Sequence, residues 1–531
     1  MNAQNAKFYI TTPIYYVNDR PHIGHVYSTT VADVAARYHR LSGQDTFFLT
    51  GVDEHAAKVA DAAAERGLTP QQWADQNAAV FQETFARLGM THDDFVRTSQ
   101  DRHKTKVQQY IAALLKSGDV YAGQYEGWYD AGQEEYVTAS KAEEYQFKSP
   151  INGKPLVRKK EKNYFFKLKA YRGELAQHFA EHPDFVQPDA RRNEVLNRIA
   201  EAEDVPISRT GSGGWGIPVP GDPEQTIWVW FDALFNYLTY VDTPERKGYW
   251  QAGATHVIAK DILWFHASIW PALLLALRKC PGYGELALPR QVYAHSFWIS
   301  EGQKMSKSLG NFIDLAKLDR YSADFGLDAL RYFLATNGPL GTTDSDFSEA
   351  KFIDVYNNDL ANTLGNCFAR ITNMTNRYFG GKLPAAGPHV EASIEHGHEA
   401  EQALKHYTAA MDKLDLAGGA AAGLDLVRAI DSYIEQTQPF KIAKDPARLA
   451  EVGTILYHCA EAMRVATVLL WPVIPGKVEQ MWSRLGCEEY AKALANRGAG
   501  NLAEWAKWGK LKPGTAILQG APMFPRHVSK E

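Results

Sequence analysis

KFYITTPIYYVNDRPHIGHVYSTTVADVAARYHR, residues 7–40, reads as strand, loop and helix in succession. Phe8 to Ile10 form a short apolar run suited to a buried parallel strand. Asn18 and Asp19 mark a turn, and Val26, Thr30, Val34 and Tyr38 then recur at helical spacing. The pattern begins near Pro21, a residue suited to a first helical turn. This is the opening unit of a nucleotide-binding α/β sheet. At the expected helix start sit His22, Ile23, Gly24 and His25. Backbone N–H groups there have no intrahelical partner, and the helix dipole adds partial positive charge, so the position attracts phosphate. His22 and His25 share a helical face and both can donate to a phosphate oxygen. Gly24 has no side chain, so a nucleotide ring or ribose can lie against the backbone. In isolation, His-x-x-His is better read as capping and polar surface, or as a metal site.

A second stretch shifts that balance: Lys304-Met305-Ser306-Lys307-Ser308, followed by Leu309-Gly310-Asn311. Two lysines three apart among small hydroxyl residues make a cationic loop suited to a polyphosphate. Alone, a lysine-rich pentamer is ordinary solvated surface. The ordered pair, His-Ile-Gly-His first and Lys-Met-Ser-Lys-Ser far downstream, resembles the signature of the class I aminoacyl-tRNA synthetases. The resemblance implies a class I Rossmann-like α/β sheet, activation of an amino acid with ATP, and its loading onto tRNA.

The chain has 531 residues, too many for one core, which sets three or four modules as the prior. The N-terminus MNAQNAKF lacks an apolar signal core, and no apolar run is long enough to span a bilayer. Four scattered cysteines argue for a reducing cytoplasm and against a disulfide frame or a cysteine-based zinc site. Net charge is −5, so a nucleic-acid partner must bind a local patch.

Further along, Thr46 to Thr50 reads as a second buried strand. It runs into Asp53, Glu54 and His55 at its carboxyl end, where open α/β sheets bind ligands. From about Gly118 to Gln225 aromatic, glycine and charged residues alternate as in a β-rich insertion. Ile227 to Tyr237, Thr255 to Ile262 with its helix through His266 and Trp270, and Ser296 to Ile299 sharpen the resemblance to the methionyl-tRNA synthetase family. It then covers roughly the whole chain. The implied organisation is a first catalytic half at 1–117, a connective insertion at 118–225 and a second half at 226–295. A lysine-loop and stem-contact region follows at 296–346, then a helical anticodon-binding bundle at 347–531. Many family members carry a zinc knuckle in the insertion. The matching positions here are Asp130, Gln133, Ser149 and Asn152, without the thiolate or imidazole that zinc prefers, so a knuckle without structural zinc is expected. No appended β-barrel follows the bundle, which points to a monomer.

Methionine offers an apolar chain and a thioether that accepts hydrogen bonds only weakly, so a selective pocket is mostly shape. The resemblance assigns that pocket to Ile14, Tyr16, Asp53, His55, Trp230, Ala233, Leu234, Tyr237, Ile262, His266 and Trp270. Within it, Tyr237 and the backbone near Ile14 approach the sulfur, and Asp53 holds the ammonium. For any single aromatic, a core position is the competing reading. In the reaction the resemblance implies, the methionine carboxylate attacks the α-phosphorus of ATP and pyrophosphate leaves, so positioning and charge neutralisation carry the chemistry. His22, His25, Lys304 and Lys307 are the expected catalytic residues. Gly24, Met305 and Asp261 join them at ATP, and magnesium bridges the phosphate oxygens. Where the family often has glycine before Lys260-Asp261, this chain has Ala259. For tRNA(Met), the family implies anticodon contacts from Asn366 and Arg370, with Phe440 in place of a stacking tryptophan.

Alternatives are a class I enzyme for cysteine or isoleucine, a smaller adenylyltransferase, or a non-catalytic RNA-binding relative. The first lacks its pocket cysteines and the second its large editing insertion. The long helical end argues against the third, and the retained His25 and Lys307 against the fourth.

Overall fold

The computed structural model describes residues 6–131, 135–137, 139–210, 214–306, 310–387 and 395–528. Its centre is a six-stranded sheet. The strands are β1 (Lys7–Tyr16), β2 (Asp45–Asp53), β3 (Asp94–Arg97), β4 (Val186–Gln187), β5 (Ala254–Ala259) and β6 (Gln291–His295). They lie in the order β3-β2-β1-β5-β6-β4, and every neighbouring pair is parallel. Both faces are covered, so β1 and β2 are nearly continuous runs of buried residues rather than alternating ones. The chain winds outward from β1 through β2 to β3, then crosses to the other side, first to β4 at the far edge and then to β5 beside β1. The carboxyl ends of β1 and β5 therefore diverge, which is where such sheets open a crevice.

Helix α1 (Ile23–Leu41) follows β1 and is buried along most of its length. Helix α2 (Asp101–Ser117) packs against helix Trp270–Arg278 and strand Val120–Asp130, and the short α3 (Val229–Leu234) precedes β5. After β6 come α4 (Leu327–Asn337), α5 (Asn366–Phe379), α6 (Leu416–Thr437) and α7 (Leu449–Leu470). Helix α7 is apolar on nearly all sides and runs through the middle of the helical region, as an encircled helix must.

The insertion departs from the β-rich expectation. Strands Val120–Asp130, Glu135–Val137, Val157–Phe166 and Val205–Pro206 do form an antiparallel sheet. Residues between its last two strands instead fold as helices Arg172–Glu181 and Asp189–Ala200, with β4 between them joining the central sheet beside β6. Leu175 and Phe179, then Val195 and Ile199, are buried at helical spacing, which explains the helices. At the tip, Val137, Ala142 and Leu156 make a small separate core flanked by Trp128 and Tyr145.

Candidate active site

Helix α1 begins two residues after Pro21, and His22 is its cap. The His22 Nδ1 accepts from the Gly24 N–H at 3.1 Å, while the His22 N–H donates to His25 Nδ1 at 3.2 Å. Each side chain thus closes on the other's end of the first turn, a reciprocal cap built from two imidazoles rather than serine and glutamate. This corrects the expectation of open backbone donors, because those of His22 and Gly24 are already taken. A ring whose Nδ1 accepts carries its hydrogen on Nε2, which gives His25 an imidazole donor on the side opposite the cap. Enclosure, and secondarily the neighbouring His22, hold the His25 imidazole well below its ordinary range and favour the neutral form. A methyl group at Gly24 would come within 2.9 Å of His22 Cε1. The room beside this glycine therefore houses the histidine ring.

A cavity of about 1060 Å³ opens at the carboxyl ends of β1 and β5, against the start of α1. His22, Gly24 and His25 line one side of it, and Asp261 and Ala259 another. Ile14, Tyr16 and Asp53 reach it from β1 and β2, and Trp230, Ala233 and Leu234 from α3. Tyr237, Ile262 and His266 complete the apolar end. His266 lies in a π-helical turn, Phe265–Ile269, a local widening of the helix that is frequent at functional sites.

At the apolar end two polar side chains pair with each other. The Tyr237 hydroxyl meets His266 Nε2 at 2.8 Å, and His266 Nδ1 lies 3.0 Å from the Ile262 carbonyl. The carbonyl can only accept, so Nδ1 carries the hydrogen and Tyr237 donates to Nε2. Burial lowers His266 to about 4, in keeping with a neutral ring. The Trp230 ring lies flat on Phe265, centroids 3.9 Å apart, and forms an aromatic wall. Ser28 Oγ meets His295 Nε2 at 2.7 Å at the end of β6.

Two residues expected at methionine are elsewhere. His55 is buried against Asp232, Nδ1 to Oδ2 at 2.5 Å, and does not line the cavity. Trp270 is wholly buried, packs on Phe235 and Trp250, and sends its Nε1–H to His256 Nε2 at 3.2 Å. It is core, as the competing reading had it. Conversely Tyr27, Ser28, His295 and Phe297 line the cavity without having been singled out. Tyr27 and Ser28 follow His25 within one helical turn, a signal that was available.

The segment that follows the lysine pentamer reaches the same cavity. Ile23 donates its N–H to the Ile313 carbonyl at 3.2 Å, and His22 bridges to Asp314, so the chain after the pentamer lies against the helix start. Gly310, Phe312 and Lys317 line the cavity. Lys304 is exposed on a short strand paired with Ile299, and neither it nor Met305 lines the cavity. Asn311 reaches back to the strand segment, accepting from the Ser306 N–H at 2.8 Å and donating to the Lys304 carbonyl at 3.2 Å. Lys307 lies outside the described residues.

A family model described as class I tRNA synthetases (M) matches residues 8–372. The methionine–tRNA ligase of Caldanaerobacter subterraneus subsp. tengcongensis is 40% identical, over 99% of this chain and 80% of its own length. The chain belongs to the methionine-type class I tRNA synthetases. The methionine–tRNA ligase of Streptomyces coelicolor is 39% identical to this synthetase over 99% of the chain and 98% of its own. A solved Mycobacterium tuberculosis methionyl-tRNA synthetase in complex with methionyl-adenylate superposes with a TM-score of 0.87. It is 34% identical and covers 98% of this chain and 100% of that one.

In this synthetase the helical region places Asn366 on the surface at the start of α5 and Arg370 one turn later. Arg370 pairs with Asp431 at 3.1 Å and Glu435 at 2.6 Å, both on α6. Phe440 follows α6 and is 39% exposed, enough to offer a ring face. In the insertion, the Ser149 hydroxyl accepts from the Ile151 N–H at 3.3 Å and the Asn152 side chain from the Lys154 N–H at 3.0 Å. Asp130 is buried, and Gln133 lies outside the described residues. Among the described residues no three His, Cys, Asp or Glu side chains are grouped to hold a metal ion. No described helix is long and apolar enough to cross a membrane.

Proposed function

We infer that the chain is a methionine–tRNA ligase, which forms methionyl-adenylate from methionine and ATP and transfers methionine to tRNA(Met). The observation that carries the site assignment is one cavity shared by the imidazole pair at the α1 start, the segment after the lysine pentamer, and an apolar pocket between α3 and the π-helical turn. The substrate carboxylate is itself the nucleophile, so the protein needs no nucleophile of its own. It has to align the carboxylate with the α-phosphorus and spread the charge of the leaving pyrophosphate. His22 and His25 line the phosphate path, and Lys304 and Lys307 stabilise the departing pyrophosphate. Magnesium would enter with ATP as part of that substrate and would supply positive charge at the phosphates. Asp53 pairs with the substrate ammonium, while Trp230, Ala233, Leu234 and Tyr237 enclose the side chain. Asn366, Arg370 and Phe440 meet the anticodon, with Arg370 released from its two carboxylates on docking. Serine and asparagine at the knuckle positions hydrogen-bond their own turn, which supports a knuckle held by its small core rather than by zinc. The reading includes a cytoplasmic monomer, in line with its scattered buried thiols.

The test is ATP–pyrophosphate exchange across a panel of amino acids, run beside tRNA charging. Methionine should drive exchange, Lys307→Ala should abolish it while methionine binding survives, and Arg370→Ala should depress charging far more than exchange. Exchange driven best by another amino acid overturns the substrate, and equal losses in both assays overturn the anticodon role.

A further inference from the structure

Behind α3, on the side away from the cavity, Asp232 is a fully buried carboxylate with two imidazole partners from different parts of the chain. Its Oδ2 meets His55 Nδ1 at 2.5 Å and its Oδ1 meets His103 Nε2 at 2.7 Å. His103 Nδ1 then meets the Thr239 hydroxyl at 2.9 Å. An ionised carboxylate only accepts, so each contacting nitrogen carries a hydrogen and each ring is fixed in orientation. Although burial opposes ionisation, the two histidines hold Asp232 at about 2. Trp215 closes the cluster from outside, its ring edge-on to His55 and its Nε1–H donating to the Glu54 carbonyl at 2.6 Å.

The cluster joins three elements. His55 follows β2 by two residues, and its N–H lies 3.4 Å from Asp53 Oδ1. His103 stands in the first turn of α2. Asp232 is flanked on α3 by the cavity-lining Trp230, Ala233 and Leu234. We propose that Asp232 is a positioning residue for amino-acid selection, holding the α3 wall of the pocket in register with Asp53 through His55 and with α2 through His103. The proposal rests on the methionine reading above. One methylene in an apolar pocket gives only about 10–200-fold discrimination, so selection depends on walls placed to a fraction of an ångström. A buried carboxylate between two fixed donors supplies such placement. Apolar packing, which tolerates sliding, does not.

The test measures methionine and homocysteine activation by ATP–pyrophosphate exchange for Asp232→Asn, an isostere that turns one acceptor into a donor facing an imidazole N–H. KM for methionine should rise by about tenfold and the methionine-to-homocysteine ratio of kcat/KM should fall. KM for ATP should stay within about twofold, because the imidazole pair of α1 is untouched. His103→Gln, whose amide nitrogen can stand in for Nε2–H, should keep the wild-type methionine KM, whereas His103→Leu should raise it. These two decide the matter if Asp232→Asn does not fold. Methionine KM and selectivity unchanged in folded Asp232→Asn, or alike in the glutamine and leucine variants, overturns the proposal. So does loss of kcat with selectivity intact. Wild-type exchange driven by another amino acid overturns the functional reading instead, a separate result.

Discussion

At the scale of single residues, the imidazole cap of α1 combines two tasks that are usually separate. His22 satisfies a backbone donor and also lines the cavity, where its proposed role is to donate to phosphate. Asparagine can do the first but offers no equivalent imidazole donor for the second. His22→Ala should therefore lose about 1 kcal/mol of stability with its cap, and most of its exchange activity. His22→Asn should recover the stability, read from a urea midpoint, without the activity. If both variants melt alike and differ in activity, the cap and the catalytic donor are not the same side chain's work.

At the scale of elements, the joint between the catalytic sheet and the helical region is polar and buried. Arg331 on α4 donates to Asp33 on α1 at 2.7 Å and to the Pro472 and Val473 carbonyls beyond α7, at 3.3 and 3.2 Å. Arg37 also pairs with Asp33 at 2.8 Å, and Thr91 donates to its other oxygen. Removing one partner of such a pair leaves an uncompensated buried charge, so Arg331→Ala should cost about 3–5 kcal/mol by denaturant unfolding. A loss under 1 kcal/mol would mean that packing alone holds the joint. None of this was legible in the sequence, where Asp33, Arg37 and Arg331 look like ordinary helical charges. The long periodic elements were legible, because β1, α1 and β5 bury residues at the spacing their patterns show. The two-residue strand β4 was not, since two residues have no period. His55 was misread for a related reason. Its place just past β2 fixed which end of the sheet it occupies, but whether its ring turns toward ligand or toward Asp232 depends on α3, far along the chain.

At the scale of the whole molecule, several histidines are buried neutral. His266 and His295 sit at about 4 and His39 at about 3, each lowered chiefly by burial. In the unfolded chain they titrate near the ordinary value of about 6.5. Between that pH and about 4 the unfolded state binds more protons, so stability falls as pH falls through this window. Above pH of about 6.5 the effect is absent. Urea midpoints measured from pH 7 down to pH 4 should decline, before most carboxylates protonate. A flat profile over that range would mean the rings gain protons without unfolding.

The contribution of β4 to the central sheet has its own consequence at this scale. The insertion is laced into the catalytic sheet, so it cannot be excised or transplanted as an independent cassette. Cutting out residues 118–225 would strip β6 of its outer neighbour and leave a bare row of backbone donors and acceptors, open to pairing with another molecule. A shortened enzyme would have to keep 183–188 in place, or else accept a new tendency to clump.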